Sequence, residues 1–425
     1  MMDTIFALSS GAPPAGIAVI RVTGPAAGDA LGRLAGKLPV PRQATRAWLT
    51  DDRGQRLDDG LVLWFPGPAS VTGEDLAEFH LHGGRAVIAA VEAALSAIPG
   101  LRKARAGEFT RRAFANGRID LAEAEGLADL LSAETELQRQ AAILSAGGHL
   151  SRQVEGWREQ LLHLSAQVEA VLDFEDEDDV DALPAGFAQD IEALALSLRQ
   201  ALDAPSAEPL REGYRVALAG PPNAGKSTLF NALLDNQAAI TAAIPGTTRD
   251  VLVRPVSMGG VPFSFVDMAG LRTESGDEIE AIGIDRAHGE IARADLVLWL
   301  GAEGAGPAGA WEIDAQCDRE DHCPKLTPAF RISAVTGEGM DALKSALVIH
   351  ASGQLPRPGE LALNRRQRDL VSLAADELGA IAGERDLLLV AERLRQARLA
   401  FDALLGRTST EDVLDALFGR FCIGK

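Results

Sequence analysis

Residues Gly220-Pro221-Pro222-Asn223-Ala224-Gly225-Lys226-Ser227 decide how the rest of the chain is read. They follow the β-rich run Tyr214-Arg215-Val216-Ala217-Leu218-Ala219 and lead into Thr228-Leu229-Phe230-Asn231-Ala232-Leu233-Leu234, a helical pattern. G-x-x-x-x-G-K-S between a strand and a helix is a loop whose main-chain amides, with the helix N-terminus, surround phosphate oxygens. Lys226 is expected to neutralise β/γ-phosphate charge, and the Ser227 hydroxyl to ligate Mg²⁺. Further along, Gly246-Thr247-Thr248-Arg249-Asp250 reads as a loop from which Thr248 reaches the magnesium and senses the γ-phosphate. The buried-strand pattern Phe263-Ser264-Phe265-Val266 ends in Asp267-Met268-Ala269-Gly270, the D-x-x-G element. There Asp267 supports the magnesium shell and the Gly270 amide faces the γ-phosphate. In this order the pieces predict a Ras-like P-loop α/β domain with a mostly parallel sheet over 211–350.

The base-reading element is altered. A guanine site ordinarily carries N/T-K-x-D at a strand end, the Asp accepting from guanine N1 and N2. Here the strand pattern Trp311-Glu312-Ile313-Asp314 leads to Ala315-Gln316-Cys317-Asp318, which keeps the Asp and lacks the Asn and Lys. Ser333-Ala334, after Ala329-Phe330-Arg331-Ile332, matches the loop that supports the base from the other side. GTP is the expected nucleotide because Asp318 carries the discriminating bonds, with weaker or less selective binding as the consequence of Ala315 and Gln316. The segment between Leu300 and Phe330 is too short for the usual helix plus strand, so this side is expected to be trimmed. Cys317 and Cys323 have no second ligand pair at zinc spacing.

The position after D-x-x-G, where Ras-like enzymes orient water with a Gln, is Leu271, which cannot hydrogen-bond water. Glu274, Asp277, Glu278 and Glu280 follow as candidate polar groups. Positive charge on the γ-phosphate must come from an arginine finger or from a monovalent cation at the P-loop, for which Asn223 has a suitable side-chain oxygen.

Around this domain the pattern changes. Up to about residue 117, β-rich runs at 17–22 and 61–65, the alternating 76–82 and a helix after Gly83-Gly84 predict a compact α+β domain. Residues 119–172, broken at Gly147-Gly148, then 186–204 and 362–405 are helical in period. Thr408-x-x-Glu411 reads as a capping box for a last helix stopped by Gly419. The fold expected is thus multidomain α/β and α. Residues 1–117 form one domain, 118–210 with 351–425 a discontinuous helical domain, and 211–350 an insertion within it.

Composition bounds the setting. With 47% apolar and 24% charged residues, the chain has the make-up of a globular protein with real cores. Its net charge of −20 argues against non-specific coating of nucleic acid, which needs cations on phosphates. The acidic run Asp173-Phe174-Glu175-Asp176-Glu177-Asp178-Asp179 reads as a solvated loop rather than a metal site. Three scattered cysteines, the lack of an export signal and the lack of a membrane-length apolar run point to the cytoplasm, with no membrane contact.

Several further stretches carry a resemblance: Asp3-Thr4-Ile5, Ile20-Arg21-Val22, Thr72-Gly73-Glu74-Asp75, His82-Gly83-Gly84 and Gly107-Glu108-Phe109. Arg112-Ala113-Phe114, Asp120-Leu121-Ala122-Glu123-Ala124-Glu125 and the ending Phe421-Cys422-Ile423-Gly424-Lys425 continue it. With the inserted P-loop, the chain resembles end to end the tRNA modification GTPase family MnmE (TrmE), among the TrmE-Era-EngA-YihA-Septin-like P-loop GTPases. The resemblance implies an N-terminal domain that dimerises and binds a tetrahydrofolate one-carbon donor, formyl- or methylene-tetrahydrofolate. Its contacts would be Arg21, Glu78, Arg118 (where a Lys is common) and Lys425. It implies GTP contacts at Asn223, Ala224, Gly225, Lys226, Ser227 and Thr228, then at Ala242, Ala243, Ile244, Pro245, Gly246, Thr247 and Thr248. Asp267, Met268, Ala269, Gly270, Asp318, Ser333 and Ala334 complete the set.

The resemblance also implies K⁺ held by Asn223, Ala242, Ile244 and Thr247, beside Mg²⁺ on Ser227 and Thr248. Glu280 would orient the water, Lys226 would act on the phosphates, and Cys422 would serve the tRNA modification. The implied partner is MnmG, carrying FAD, in a heterotetramer or larger complex with the homodimer. The pair would add an aminomethyl or carboxymethylaminomethyl group to carbon 5 of a tRNA wobble uridine. The competing reading is a GTPase switch without one-carbon chemistry, which would need neither the N-terminal domain nor the Cys-Ile-Gly-Lys ending.

Overall fold

A computed structural model describes residues 3–173, 183–234, 238–239, 252–267, 289–357, 359–408 and 410–425. It divides into two units, Met1–Ala128 with Asp402–Lys425, and Asp129–Phe401.

The first unit is built on strands β1 (Thr4–Leu8), β2 (Ala15–Thr23), β3 (Thr45–Thr50), β4 (Arg56–Phe65), β5 (Leu76–Gly83) and β6 (Leu101–Lys103), ordered β3-β4-β5-β2-β1-β6. All neighbours are antiparallel except β6, which runs parallel to β1. Alternation sets the faces. On β5, Ala77, Phe79 and Leu81 are buried while Glu78, His80 and His82 take the opposite face. Helices α1 (Ala27–Ala35) and α2 (Arg85–Ser96) cover the apolar face with Leu31, Leu34, Ile88, Val91 and Leu95. Each such side chain contributes about 1.5–3 kcal/mol by leaving water. The α+β expectation holds here.

Helix α3 (Glu108–Ala115) carries Arg112, whose guanidinium reaches Glu74 at 3.1 Å, Asp3 at 2.8 Å and Glu108 at 3.3 Å. Burial pushes the Glu108 carboxyl up, but Arg102, the Arg105 amide and Arg112 outweigh it and hold it below the usual range. The start of helix α4 (Leu121–Ser132) packs Leu121 and Ala124 against Leu417, Phe418 and Phe421 of the C-terminal segment. That segment corrects one expectation. Its helix is Glu411–Phe418 with Thr410 as N-cap, not Thr408, and Thr410 makes no side-chain cap bond. Glu411 is therefore the first helical residue and cannot close a box from the third; its carboxylate pairs with Arg111, which also holds Asp415 at 2.7 Å.

The second unit opens with helices α5 (Glu136–Ala146), α6 (His149–Asp173), α7 (Phe187–Asp203) and α8 (Glu208–Glu212). Thr135 caps α5 in a full capping box with Gln138. Helix α6 buries Leu150, Val154, Trp157, Leu161, Leu164, Val168 and Val171, spaced alternately by four and three. A sheet follows from β7 (Tyr214–Ala219), helix α9 (Lys226–Leu234), β8 (Ala238–Ala239), β9 (Leu252–Met258), β10 (Val261–Asp267), β11 (Leu296–Trp299), β12 (Trp311–Asp314) and β13 (Phe330–Arg331). The order is β13-β12-β11-β7-β10-β9-β8, parallel from β13 to β10 and antiparallel at β9 and β8. Strand β10 is buried at all seven positions, as a central strand covered on both faces must be. Helix α10 (Met340–Gln354) packs Met340, Leu343 and Leu347 into the sheet's core, and α11 (Arg365–Gly379) and α12 (Leu387–Leu404) complete the unit.

The link from β11 to β12, residues 300–310, holds turns and no helix, in keeping with the expected trimming. The chain enters and leaves the sheet region side by side: Ala207 N–H donates to Leu363 O at 3.1 Å, and Arg368 to Ala204 O at 2.9 Å.

Candidate nucleotide-binding site

Strand β7 pairs in parallel with β10 and β11, bringing Leu218 beside Asp267 and Ala219 beside Trp299. The C-terminal ends of these strands therefore share one edge, the place where open α/β sheets take ligands. From it runs the loop 220–225, and Leu229 N–H donates to Gly225 O at 2.9 Å to close the first turn of α9. The amides at this helix start carry the positive end of its dipole.

Lys226 is only 7% exposed. Its Nζ donates to the carbonyls of Gly220 at 2.9 Å and Pro221 at 2.6 Å, so the ammonium lies folded over the loop. Ser227 Oγ donates to Asp267 Oδ2 at 2.9 Å, and Asp267 is buried. A hydroxyl and a carboxylate at this separation are hard oxygen donors of the kind magnesium takes, one directly and one through water. The residues present fit the ion.

Beside the loop is a cavity of about 200 Å³, lined by Gly225, Thr228, Leu229, Ala315, Gln316, Asp318, Arg319, Ile332, Ala334 and Val335. It brings together the P-loop helix, Asp318 and Ala334. Ser333 is fully buried instead; its Oγ accepts from the amides of Val335 and Thr336 at 3.3 and 3.0 Å, so it shapes the loop. Asp314, at the end of β12, is clamped by Arg331 Nε at 2.8 Å, with His322 at 3.0 Å. The clamp fixes where Ala315–Asp318 starts, and neither partner was legible in the sequence, since both lie beyond the motif. Burial, then the charges of Glu338 and Asp318, push the Cys317 thiol up.

Met268, Ala269, Gly270, Ala242, Ala243, Ile244, Pro245, Gly246, Thr247, Thr248 and Glu280, with most of the acidic run, lie outside the described residues. The expected K⁺ set is thus seen only at Asn223, an exposed residue with φ of 61° whose amide oxygen is chemically suited to the ion.

The residues expected to meet a folate divide. Arg21 and Glu78 face each other across β2 and β5, with Nε to Oε1 at 2.8 Å, and His80 Nε2 lies 3.1 Å from Glu78. Burial raises the Glu78 carboxyl, but His80 and Arg21 outweigh it and keep it ionised. Among the described residues, the hydrogen bonds of this pair do not extend to Arg118, which is exposed after α3, or to Lys425. The ending is anchored on the first sheet. Ser9 Oγ donates to Gly424 O at 2.8 Å, and Ile423 bridges Ala106. Gly424 has φ of 95°, and a Cβ there would stand 2.2 Å from Leu8 O, so only glycine permits this approach. The anchored tail leaves Cys422 exposed.

Residues 4–118 match the family described as GTP-binding protein TrmE N-terminus, and residues 121–422 match the MnmE helical domain. A protein of Novosphingobium aromaticivorans is 64% identical over 437 residues, covering 100% of both chains. One of Erythrobacter litoralis is 62% identical, again covering both in full, and one of Zymomonas mobilis is 51% identical over 100% of each. All three are named tRNA modification GTPase MnmE.

Proposed function

The chain belongs to the tRNA modification GTPase MnmE family, and from that premise we propose that it is a potassium-stimulated GTP hydrolase acting in wobble-uridine modification. The observation that carries the hydrolase reading is the shared strand edge holding Lys226, the Ser227–Asp267 pair and the Asp318 cavity. Lys226 exchanges its loop carbonyls for β/γ-phosphate oxygens, and the loop amides orient the phosphates. Ser227 and Thr248 would hold Mg²⁺, which would supply positive charge beside the transferred phosphoryl group. Glu280 orients the attacking water, a task Leu271 cannot perform. Asn223, with Ala242, Ile244 and Thr247, would hold K⁺, which would supply the positive charge of an arginine finger.

The domain division proposed is 1–117 for folate binding and dimerisation, 118–210 with 351–425 as the helical domain, and 211–350 as its insertion. The side-by-side entry and exit of the chain support the insertion. Arg21, Glu78, Arg118 and Lys425 would bind the tetrahydrofolate donor, Cys422 would serve the modification, and FAD would reside on the partner MnmG.

Two experiments test this. Nucleoside analysis of tRNA from a strain lacking the protein is expected to show loss of the C5 aminomethyl-type group on wobble uridine; unchanged nucleosides defeat the modification reading. GTP turnover is expected to be at least on the order of ten-fold faster in K⁺ than in Na⁺ buffer, because a γ-phosphate cation is worth more than that where it replaces an arginine. Equal rates in the two buffers remove the potassium role.

A further inference from the structure

Gln316 stands where the usual base-reading motif has Lys, and Ala315 where it has Asn. Its side chain nevertheless reaches the phosphate loop, Nε2 donating to Asn223 O at 3.2 Å. Among the described residues, three non-glycines have a left-handed backbone, and two are the ends of this one bond: Asn223 at φ 61° and Gln316 at φ 60°. Such backbones are sparsely populated and persist where surrounding contacts hold them. A third feature makes room for the bridge. A Cβ on Gly225 would come within 3.1 Å of Gln316 Nε2 and 3.3 Å of its Cγ, so the side chain lies on a surface that only glycine leaves open.

The bridge acts on the phosphate cradle through peptide geometry. The carbonyl of Asn223 and the N–H of Ala224 belong to one planar trans peptide and point in opposite directions. Drawing the carbonyl out toward Gln316 turns the Ala224 amide the other way, toward the side where loop amides meet phosphate. We infer that Gln316 is a positioning residue that sets nucleotide affinity by pinning Asn223 O and so aiming the Ala224 amide. Gln316 also walls the base cavity beside Asp318, so base loop and phosphate loop close as one piece. The inference rests on the nucleotide reading above.

The test compares the full-length parent with Gln316→Leu, which keeps length and packing without a donor, and Gln316→Lys, which restores a donor. Binding of fluorescent GDP and steady-state GTP turnover are read for each. The Leu variant is expected to bind GDP about five-fold more weakly, the scale of one neutral hydrogen bond. Its KM should rise in step while kcat changes less than about two-fold, since an amide that holds the phosphates throughout contributes uniform binding. The Lys variant should recover most of the affinity. A Leu variant that binds like the parent overturns the inference, as do Leu and Lys variants equally weakened, or a loss confined to kcat. Failure of the parent itself to bind GDP would instead strike at the nucleotide reading.

Discussion

Lys226→Ala is expected to lose GTP binding and hydrolysis together, with kcat/KM down at least on the order of a thousand-fold, the scale on which removal of a preorganised charge at a reacting centre is felt. The reason lies in what the loop otherwise offers. Its backbone supplies neutral N–H dipoles, and a triphosphate brings several negative charges. Lys226 is nearly buried, so its ammonium meets phosphate oxygens in a poorly screened setting where charge-assisted bonds are strong. Folded over Gly220 O and Pro221 O, it is already inside the site and needs only to change partners. Alanine removes the charge and uncovers two loop carbonyls. Calorimetric titration with GTP and phosphate release are the measurements, and the thermal midpoint is the control for folding. A folded Lys226→Ala protein that binds and cleaves GTP like the parent would mean that the cradle is elsewhere.

The phosphate cradle was readable because its parts are contiguous. Strand, loop and helix follow one another within 214–234, and local geometry does the rest. Helix α6 was readable for a similar reason, its buried positions being periodic. What escaped reading is what links distant positions. The Gln316–Asn223 bond spans 93 residues, and no spacing rule makes a Gln at the Lys position a tie to the phosphate loop. The clamp on Asp314 and the Arg112 cluster with Asp3, Glu74 and Glu108 are of the same kind, assembled by the fold from unrelated stretches. The Thr408 reading failed differently. Ser/Thr-x-x-Glu is a weak local preference, and the pairing of Glu411 and Asp415 with Arg111 goes with a helix that begins two residues later. In the first unit, the alternation of 76–82 gave Glu78 its face, but only strand register shows Arg21 opposite it.

Asp318→Asn is expected to exchange the preferred base. Guanine presents N–H donors at N1 and N2, and a carboxylate accepts both; adenine offers an acceptor at N1 and is repelled. Asp318 lines the cavity between Gly225 and Ala334, while the neighbouring cation is engaged elsewhere, Arg319 holding Asp321 through two bonds of 2.9 and 3.0 Å. An asparagine amide keeps one acceptor and turns its second position into a donor. That pattern fits xanthine, which has N1–H beside a carbonyl at carbon 2. Each charge-assisted bond contributes about 1.5–3 kcal/mol, so losing one outright and the charge on the other predicts GTP binding weaker by roughly ten- to a hundred-fold or more. XTP should gain by a comparable factor, because a site left with an unmatched polar group rejects its old ligand more strongly than it lost affinity for shape. Direct calorimetric titration of parent and variant with GTP, XTP and ATP reads all three terms. If the variant held GTP as the parent does and gained nothing for XTP, the base would have to be read by other groups, and Ala315 and Gln316 would then mark a site that recognises the triphosphate with little regard for its base.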